Sequence, residues 1–167
     1  MARDIEFDPV DSLAVGVVGE PGHRAFYIEV REGRRSLTML VEKTQVQGLA
    51  EQAVELLRNE AVGPEESPAD LSRPVQPDWR AGQLGLGLDP DRKMVVVVAQ
   101  ETSEEEDEDP EDLARARFWV RPAQMLAFSA RGLELARAGR PLCALCGLPI
   151  DPGGHLCPRK NGKSPVF

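Results

Sequence analysis

The feature that most constrains the fold is a pattern of three strands followed by a helix, which occurs twice along the 167 residues. In its first occurrence, apolar residues at alternate positions and glycine-containing turns predict strands at 13–18, 25–30 and 37–41. Apolar residues at helical spacing then predict a helix from about Lys43 to Arg58. A helix with such an apolar stripe packs against one face of a sheet.

The same order returns in the second half of the chain. Alternating and continuous apolar runs predict strands at 83–88, 93–100 and 114–120. A second helix is predicted from about Arg121 to Ala138, since the proline at position 122 suits the first turn of a helix. The second half therefore repeats the predicted order of the first.

The two halves can also be aligned residue by residue. An offset of 79 places Val41 on Val120, and Gly16 is matched with Gly87. The shared order of elements supports this duplication more than the few identities do. The sequence therefore predicts two βββα units, at about 5–60 and 79–139.

These units predict an α+β fold. Within a domain at 1–140, we expect one or two antiparallel sheets, with both helices covering an apolar face. Between the units, residues 60–77 contain four prolines and predict an irregular linker, with a short helix possible at 69–71. A small tail follows at 141–167.

Charge is distributed unevenly along the chain. The net charge is −8. Residues 137–167 contain five basic and one acidic residue, giving +4, whereas the remainder contains fifteen basic and 27 acidic residues, giving −12. The body should therefore repel nucleic acid, while the tail could attract it. No stretch has the roughly 20 apolar residues of a membrane helix, and the N-terminus lacks an apolar signal region, so we expect a cytoplasmic protein without membrane contact.

Nine acidic residues are concentrated between two of the predicted strands, within 101–112. Like charges repel one another and resist burial, so this run predicts a solvated loop. The alternative is a contact for the basic tail or for a basic partner. A calcium loop is less favoured, because the glycine-turned ligand spacing of the EF-hand is absent.

The tail contains a set of residues with metal-ligand spacing: Cys143, Cys146, His155 and Cys157. A C-x₂-C pair lets two thiolates on one tight turn reach a single ion, and the histidine and third cysteine form a second pair. This pattern predicts a Zn²⁺ site of the Cys₃His type, in a ribbon-like or knuckle-like tail. Because four protein ligands leave no place for water, a structural role is favoured over a catalytic one.

Other interpretations of the cysteines were weighed. A redox C-x-x-C motif would be expected at the start of a helix after a strand, whereas this one follows a helix. A haem attachment motif needs histidine directly after the second cysteine, where Gly147 stands. Asp151 could replace His155 as the fourth ligand. Three cysteines without a signal peptide argue against a disulfide framework.

The tail resembles that of a known family. The string C-x₂-C-G-x-P-x-D-P-x-G-H-x-C-P-R-x-N-G is similar to the C-terminus of an uncharacterised actinobacterial family, the domain of unknown function 3090. The resemblance implies the same metal motif and an actinobacterial origin. It carries over no catalytic residue.

Three functions remain open. The first is a non-enzymatic interaction or regulatory protein with a protein partner, to which the zinc tail adds a rigid basic surface. The second is nucleic-acid binding through that surface, for which the candidate residues are Arg159, Lys160 and Lys163. Sparse aromatic residues weaken this alternative, because stacking on bases needs them. The third is an enzyme with a site in the cleft between the two repeats, although no phosphate loop or nucleophile elbow is present.

Overall fold

The computed structural model describes residues 3–20, 22–138, 143–146, 150, 156–157 and 159. Its body consists of seven strands and two α-helices, with a short 3₁₀ helix at Pro110–Asp112 before the last strand. In chain order the elements are β1 (Asp4–Phe7), β2 (Ser12–Val18), β3 (Ala25–Glu32), β4 (Arg35–Val41), α1 (Lys43–Leu56), β5 (Trp79–Asp89), β6 (Met94–Glu101), β7 (Arg115–Val120) and α2 (Pro122–Arg137). This confirms the mixed α+β prediction and both helices. The strand β1 was not predicted.

The strands form one sheet in the order β1-β7-β6-β5-β4-β3-β2. Strands that follow each other through short connections within one half are antiparallel, as expected. However, β4 pairs with β5 and β1 pairs with β7 in parallel. The prediction of wholly antiparallel pairing is therefore wrong at these two places. The cause lies in the connections, because a helix and a long linker separate β4 from β5, and such a crossover returns the chain in its original direction.

One extended run of chain connects the two ends of the sheet. Beyond β1, the Val10 amide donates to the Trp119 carbonyl at 3.0 Å, which continues the pairing with β7. The next amide, that of Asp11, donates to the Arg31 carbonyl at 2.8 Å and begins the pairing of β2 with β3. The sheet therefore curls until its two edges lie on the same segment. On the opposite side, the parallel β4–β5 pairing is short, at Met39–Trp79 and Leu40–Arg80.

The inner face of the curled sheet packs against both helices in one apolar core. Alternation places Val95, Val97 and Phe118 inside, each at most 1% exposed. The helices also contact each other closely, since a Cβ on Gly132 of α2 would lie 3.0 Å from a methyl of Val46 on α1. Interiors of this density resist even small changes of volume. In the described part of the chain, no helix is long and apolar enough to cross a membrane.

Residues 60–77, here called the arm, cover the outer face of β2 and β3. Leu71 lies directly on Gly16, where a Cβ would come within 2.5 Å of the leucine. The buried carboxylate of Glu29 accepts hydrogen bonds from the Ser72 amide at 3.2 Å and the Ser72 hydroxyl at 2.9 Å. The short helix considered at 69–71 does not form, because Ala69 instead makes a parallel bridge with the edge strand.

An ion pair holds the arm to the start of α2, and hydrogen bonds with β4 fix the residue that follows the arm. The Arg121 guanidinium donates two hydrogen bonds to Glu66, at 2.7 and 3.1 Å. At the end of the arm, the Asp78 carboxylate accepts from the Thr38 amide at 2.9 Å, and the Asp78 amide donates back to the Thr38 carbonyl at 2.7 Å. The arm is therefore anchored along its length although it has almost no regular structure.

In each half the three predicted strands precede the predicted helix, and in the first half the unpredicted strand β1 precedes them. The duplication itself, with units at 5–60 and 79–139 in a domain at 1–140, stays a prediction.

Candidate metal centre

The three cysteine sulfurs lie close together. The Sγ atoms of Cys143, Cys146 and Cys157 are all within 4.8 Å of one another, and those of Cys143 and Cys157 are 3.9 Å apart. A disulfide bond measures about 2.05 Å, so this last pair is not bonded through sulfur. The structure thus brings together the three predicted thiolate ligands across a chain separation of 14 residues.

The sulfur geometry fits a tetrahedral metal ion. A Zn–S bond of about 2.3 Å and a tetrahedral angle place two sulfurs about 3.8 Å apart. The distance of 3.9 Å between Cys143 and Cys157 matches this value. Thiolates are ligands that select zinc, Cu(I) or iron–sulfur clusters over hard cations such as magnesium. Among the described residues, these three cysteines form the group whose potential ligand atoms lie close enough together to hold one ion.

The local chain conformation explains how these residues meet. Residues 144–146 form a turn, which carries Cys146 back toward Cys143. Both Cys143 and Cys157 are buried, and Ile150 packs against them in a small cluster separate from the main core. This isoleucine was not identified from the sequence as part of the site. The two large apolar residues between the ligand pairs, Leu148 and Ile150, were the signal that could have indicated it.

The remaining predicted site residues have different outcomes. His155, its possible substitute Asp151, and the basic residues Lys160 and Lys163 lie outside the described part of the chain. Arg159 is described and exposed. The fourth ligand and the basic surface therefore stay predictions.

Two leucines beside the ligands are exposed. Leu145 lies inside the C-x₂-C turn and is 51% exposed, while Leu156 directly precedes Cys157 and is 71% exposed. Large apolar side chains at the surface indicate a contact site when they occur together. Sequence reasoning did not single them out, because leucines between metal ligands usually contribute to local packing.

The acidic run forms an exposed loop between β6 and β7. Its base is held by the carboxylate of Glu101, which accepts from the Ala114 amide at 2.9 Å and pairs with Arg3 at 3.0 Å. Asp109 caps the short 3₁₀ helix by accepting from the Glu111 amide. Contact of this loop with the basic tail, or with a basic partner, stays a prediction.

The sheet, the helices and the sulfur cluster define a mixed α+β domain that carries a candidate metal centre at its C-terminal side. The chain belongs to the family DUF3090, a protein family of unknown function, whose model matches residues 5–157. The matched range begins in β1 and ends at Cys157, so it includes the sheet except for Asp4, both helices and all three cysteines. This confirms the family resemblance. No curated protein and no solved structure shows a significant match.

Proposed function

We propose that this chain is a zinc-binding, non-enzymatic interaction protein. In this proposal Cys143, Cys146, His155 and Cys157 hold one structural Zn²⁺, and the metal-bound tail contacts a protein partner. The observation that carries the proposal is the group of three sulfurs within 4.8 Å of one another. We also expect the protein to work in the cytoplasm.

A structural role for the metal follows from the size of the tail. The cluster of Cys143, Ile150 and Cys157 is too small to fold by apolar burial alone. A structural zinc ion supplies roughly 10–16 kcal/mol of apparent free energy to small segments of this kind. Buried thiolates without a metal would carry an unfavourable desolvation cost. The ion would thus stabilise a local structure that the sequence cannot form without it.

The interaction role is supported by what the metal centre presents to solvent. Leu145 and Leu156 are two of the five large apolar side chains that are exposed among the described residues. Both adjoin metal ligands, so the ion would fix their positions. The exposed Arg159 adds a positive charge beside them. A partner with an apolar depression and an acidic rim fits these properties.

The experiment combines metal analysis with partner capture. Purified full-length chain should contain about one zinc ion, as four ligands require. The double substitution Leu145→Ser and Leu156→Ser should abolish capture of the partner while the zinc content stays the same. The matched control is Val54→Ser, because Val54 on α1 is similarly exposed, at 43%. Zinc-free protein, or capture unchanged by the leucine substitutions, would refute the proposal.

We further propose that the two halves arose by duplication. The support is a shared pairing register, since Phe26 faces Val41 in the first half and Val95 faces Val120 in the second. The valines at 41 and 120 are also the pair aligned from the sequence. Superposition of the two halves in an experimental structure, with these residues failing to coincide, would contradict the duplication.

A further inference from the structure

Within the part of the chain that the structure describes, the outer face of the sheet is covered in the first half and open in the second. In the first half the arm crosses β2 and β3 and places Leu71 on Gly16. In the second half, the outer surface of β5, β6 and β7 is here called the open face. Its described residues are Gln83, Gly85, Gly87, Val96, Val98, Gln100, Arg115, Arg117 and Trp119.

The open face has a glycine at the position that corresponds to Gly16. Along the first three strands, Gly16 faces Tyr27, which faces Leu40. Along the next three, Gly87 faces Val96, which faces Trp119. Gly87 therefore occupies the same place in its half as Gly16 does in the first. This correspondence is read from the pairing register and holds whether or not the halves share an origin.

No described atom lies directly above Gly87 on the outer side of the sheet. A Cβ built on Gly87 or on the neighbouring Gly85 meets nothing within 4 Å, in contrast to the 2.5 Å contact at Gly16. Beside the glycines, Val98 in the middle of β6 is 42% exposed. Glycine in a strand often marks a place where another chain approaches closely. The face thus has a shallow apolar depression without a described side chain in it.

Positive charge borders this depression. The guanidinium groups of Arg92 and Arg117 lie over the Trp119 ring, 5.2 and 5.9 Å from its centroid. The Arg92 guanidinium is already paired with the Asp8 carboxylate. Among the described residues, Arg115 and Arg117 are exposed and make no ion pair with one another or with an acidic side chain. The acidic side chains on β1 stand beyond these arginines, one strand spacing of about 4.8 Å farther from the glycines.

The arm shows which kind of segment covers such a face. It is extended, it places a leucine over a glycine, and its acidic residues meet arginines. These arginines belong to the neighbouring helix: Glu66 pairs with Arg121 at the start of α2 at 2.7 Å, and Asp70 lies 3.5 Å from Arg131 on α2. A segment of the same chemistry would meet a glycine depression and arginines on the open face as well.

We propose that the open face is a docking site for an extended, acidic segment of a protein partner. The partner would seat a leucine-sized side chain on Gly87 and direct its carboxylates toward Arg115 and Arg117. This surface contains none of the cysteines, so the inference goes beyond the metal-dependent interaction proposed above.

The test is a titration of ¹⁵N-labelled full-length chain with a peptide of this chain's own residues 62–75, followed by nuclear magnetic resonance. That peptide contains Leu71, three acidic residues and one basic residue. We expect saturable shifts of the Gly85 and Gly87 amides at peptide concentrations up to about 1 mM, a range that covers weak specific binding. The peptide with Leu71→Ala should bind at least about tenfold more weakly, because it loses most of its buried apolar surface.

Substitutions in the protein make the test specific. Gly87→Val should fill the depression and abolish the shifts, and it should fold, since the space is open and the glycine φ is not left-handed. Arg117→Glu should weaken binding at least about tenfold, a typical loss when charge complementarity is reversed. Arg58→Glu, a charge reversal at an exposed position just after α1, is the matched control and should leave affinity unchanged.

Several results would overturn the inference. The first is that no amide signal of the protein shifts at 1 mM peptide. The second is that only Gly16 shifts, because the peptide exchanges with the arm. The third is that the Gly87→Val protein binds the peptide with unchanged affinity. Shifts at the open face that depend on protein concentration without peptide would assign it to a second copy of the chain instead. Repeating the titration with the Cys143→Ser chain separates the two proposals, because failure of the metal site leaves the open face intact.

Discussion

The pair Gly16 and Gly87 allows one substitution to be tested in two environments. Alanine at either position adds a single methyl group. At position 16 the added Cβ would lie 2.5 Å from one methyl carbon of Leu71 and 2.7 Å from its Cγ. Carbon atoms in contact normally lie about 3.5–4.0 Å apart, so the overlap exceeds about 0.8 Å. Because Cγ is near the leucine backbone, rotation of the side-chain end cannot relieve both contacts, and the arm must move.

The two substitutions should change the free energy of unfolding in opposite directions. Overpacking of this kind costs about 1–3 kcal/mol, and the reduced entropy of the unfolded chain offsets about 0.4–1 kcal/mol of that. We therefore expect Gly16→Ala to destabilise the protein by about 1–2 kcal/mol. At Gly87 no described atom lies within 4 Å, so Gly87→Ala should stabilise the protein by about 0.4–1 kcal/mol. The two variants should differ by about 2 kcal/mol, or about 4–8 °C in Tm for a chain of this size.

Urea unfolding followed by circular dichroism measures this difference. The combined variant Gly16→Ala with Leu71→Ala supplies the control, because removing the leucine side chain should relieve the overlap. Its loss of stability should be smaller than the sum of the two single losses, which is the signature of direct contact in a double-mutant cycle. Equal stability of the two glycine variants, or additive losses in the double variant, would refute the arrangement of the arm on the sheet.

Three further outcomes are expected. Cys143→Ser should lower the zinc content to well below one ion per chain while the far-ultraviolet circular dichroism of the body persists, because the main core contains none of the cysteines; full zinc retention would contradict the ligand assignment. The hydrogen bonds from Arg121 lower the pKa of Glu66 from 4.5, so this pair stabilises the fold above about pH 4.5 and its contribution is lost as the pH falls through the lowered value. Arg121→Gln should remove that pH dependence in thermal unfolding, with an effect of no more than about 1 kcal/mol because both side chains are partly exposed; an unchanged pH profile would be inconsistent with the pairing. The acidic body should keep the chain from binding DNA or RNA at 50 mM salt, and retention that weakens steeply with added salt would instead favour the nucleic-acid alternative.

Periodic sequence signals predicted the elements that pack on the core. The continuous run of valines from Val95 to Val98 located β6 from the sequence alone. In the structure, buried Val95 and Val97 alternate with more exposed residues. The strand β5 was predicted to start four residues too late, because a register shift between Ala81 and Gln83 interrupts the alternation at its start. The four-residue β1 offers only two alternating apolar residues, a signal too short to separate from chance.

Local sequence patterns could not predict the contacts between distant segments. The parallel pairing of β4 with β5 depends on where the arm returns the chain, and the arm itself is irregular. Its position depends on contacts such as Ser72 with Glu29, which are 43 residues apart. The cysteine cluster was predictable because its ligand spacing is local and chemically specific. The exposure of Leu145 and Leu156 was not, since spacing fixes the ligands and leaves the neighbouring side chains undetermined.

The run of chain that joins the two ends of the sheet has a consequence for the order of folding. Asp4 pairs with Arg115, a partner that a ribosome adds 111 residues later. The strand β1 is therefore synthesised first but is among the last strands that can pair with their neighbours. It must stay unpaired with β7 while the strands between them are synthesised. Long-range closure of this kind slows folding. Protection of the β1 amides from hydrogen exchange should accordingly appear late in refolding, after that of the β3–β4 hairpin.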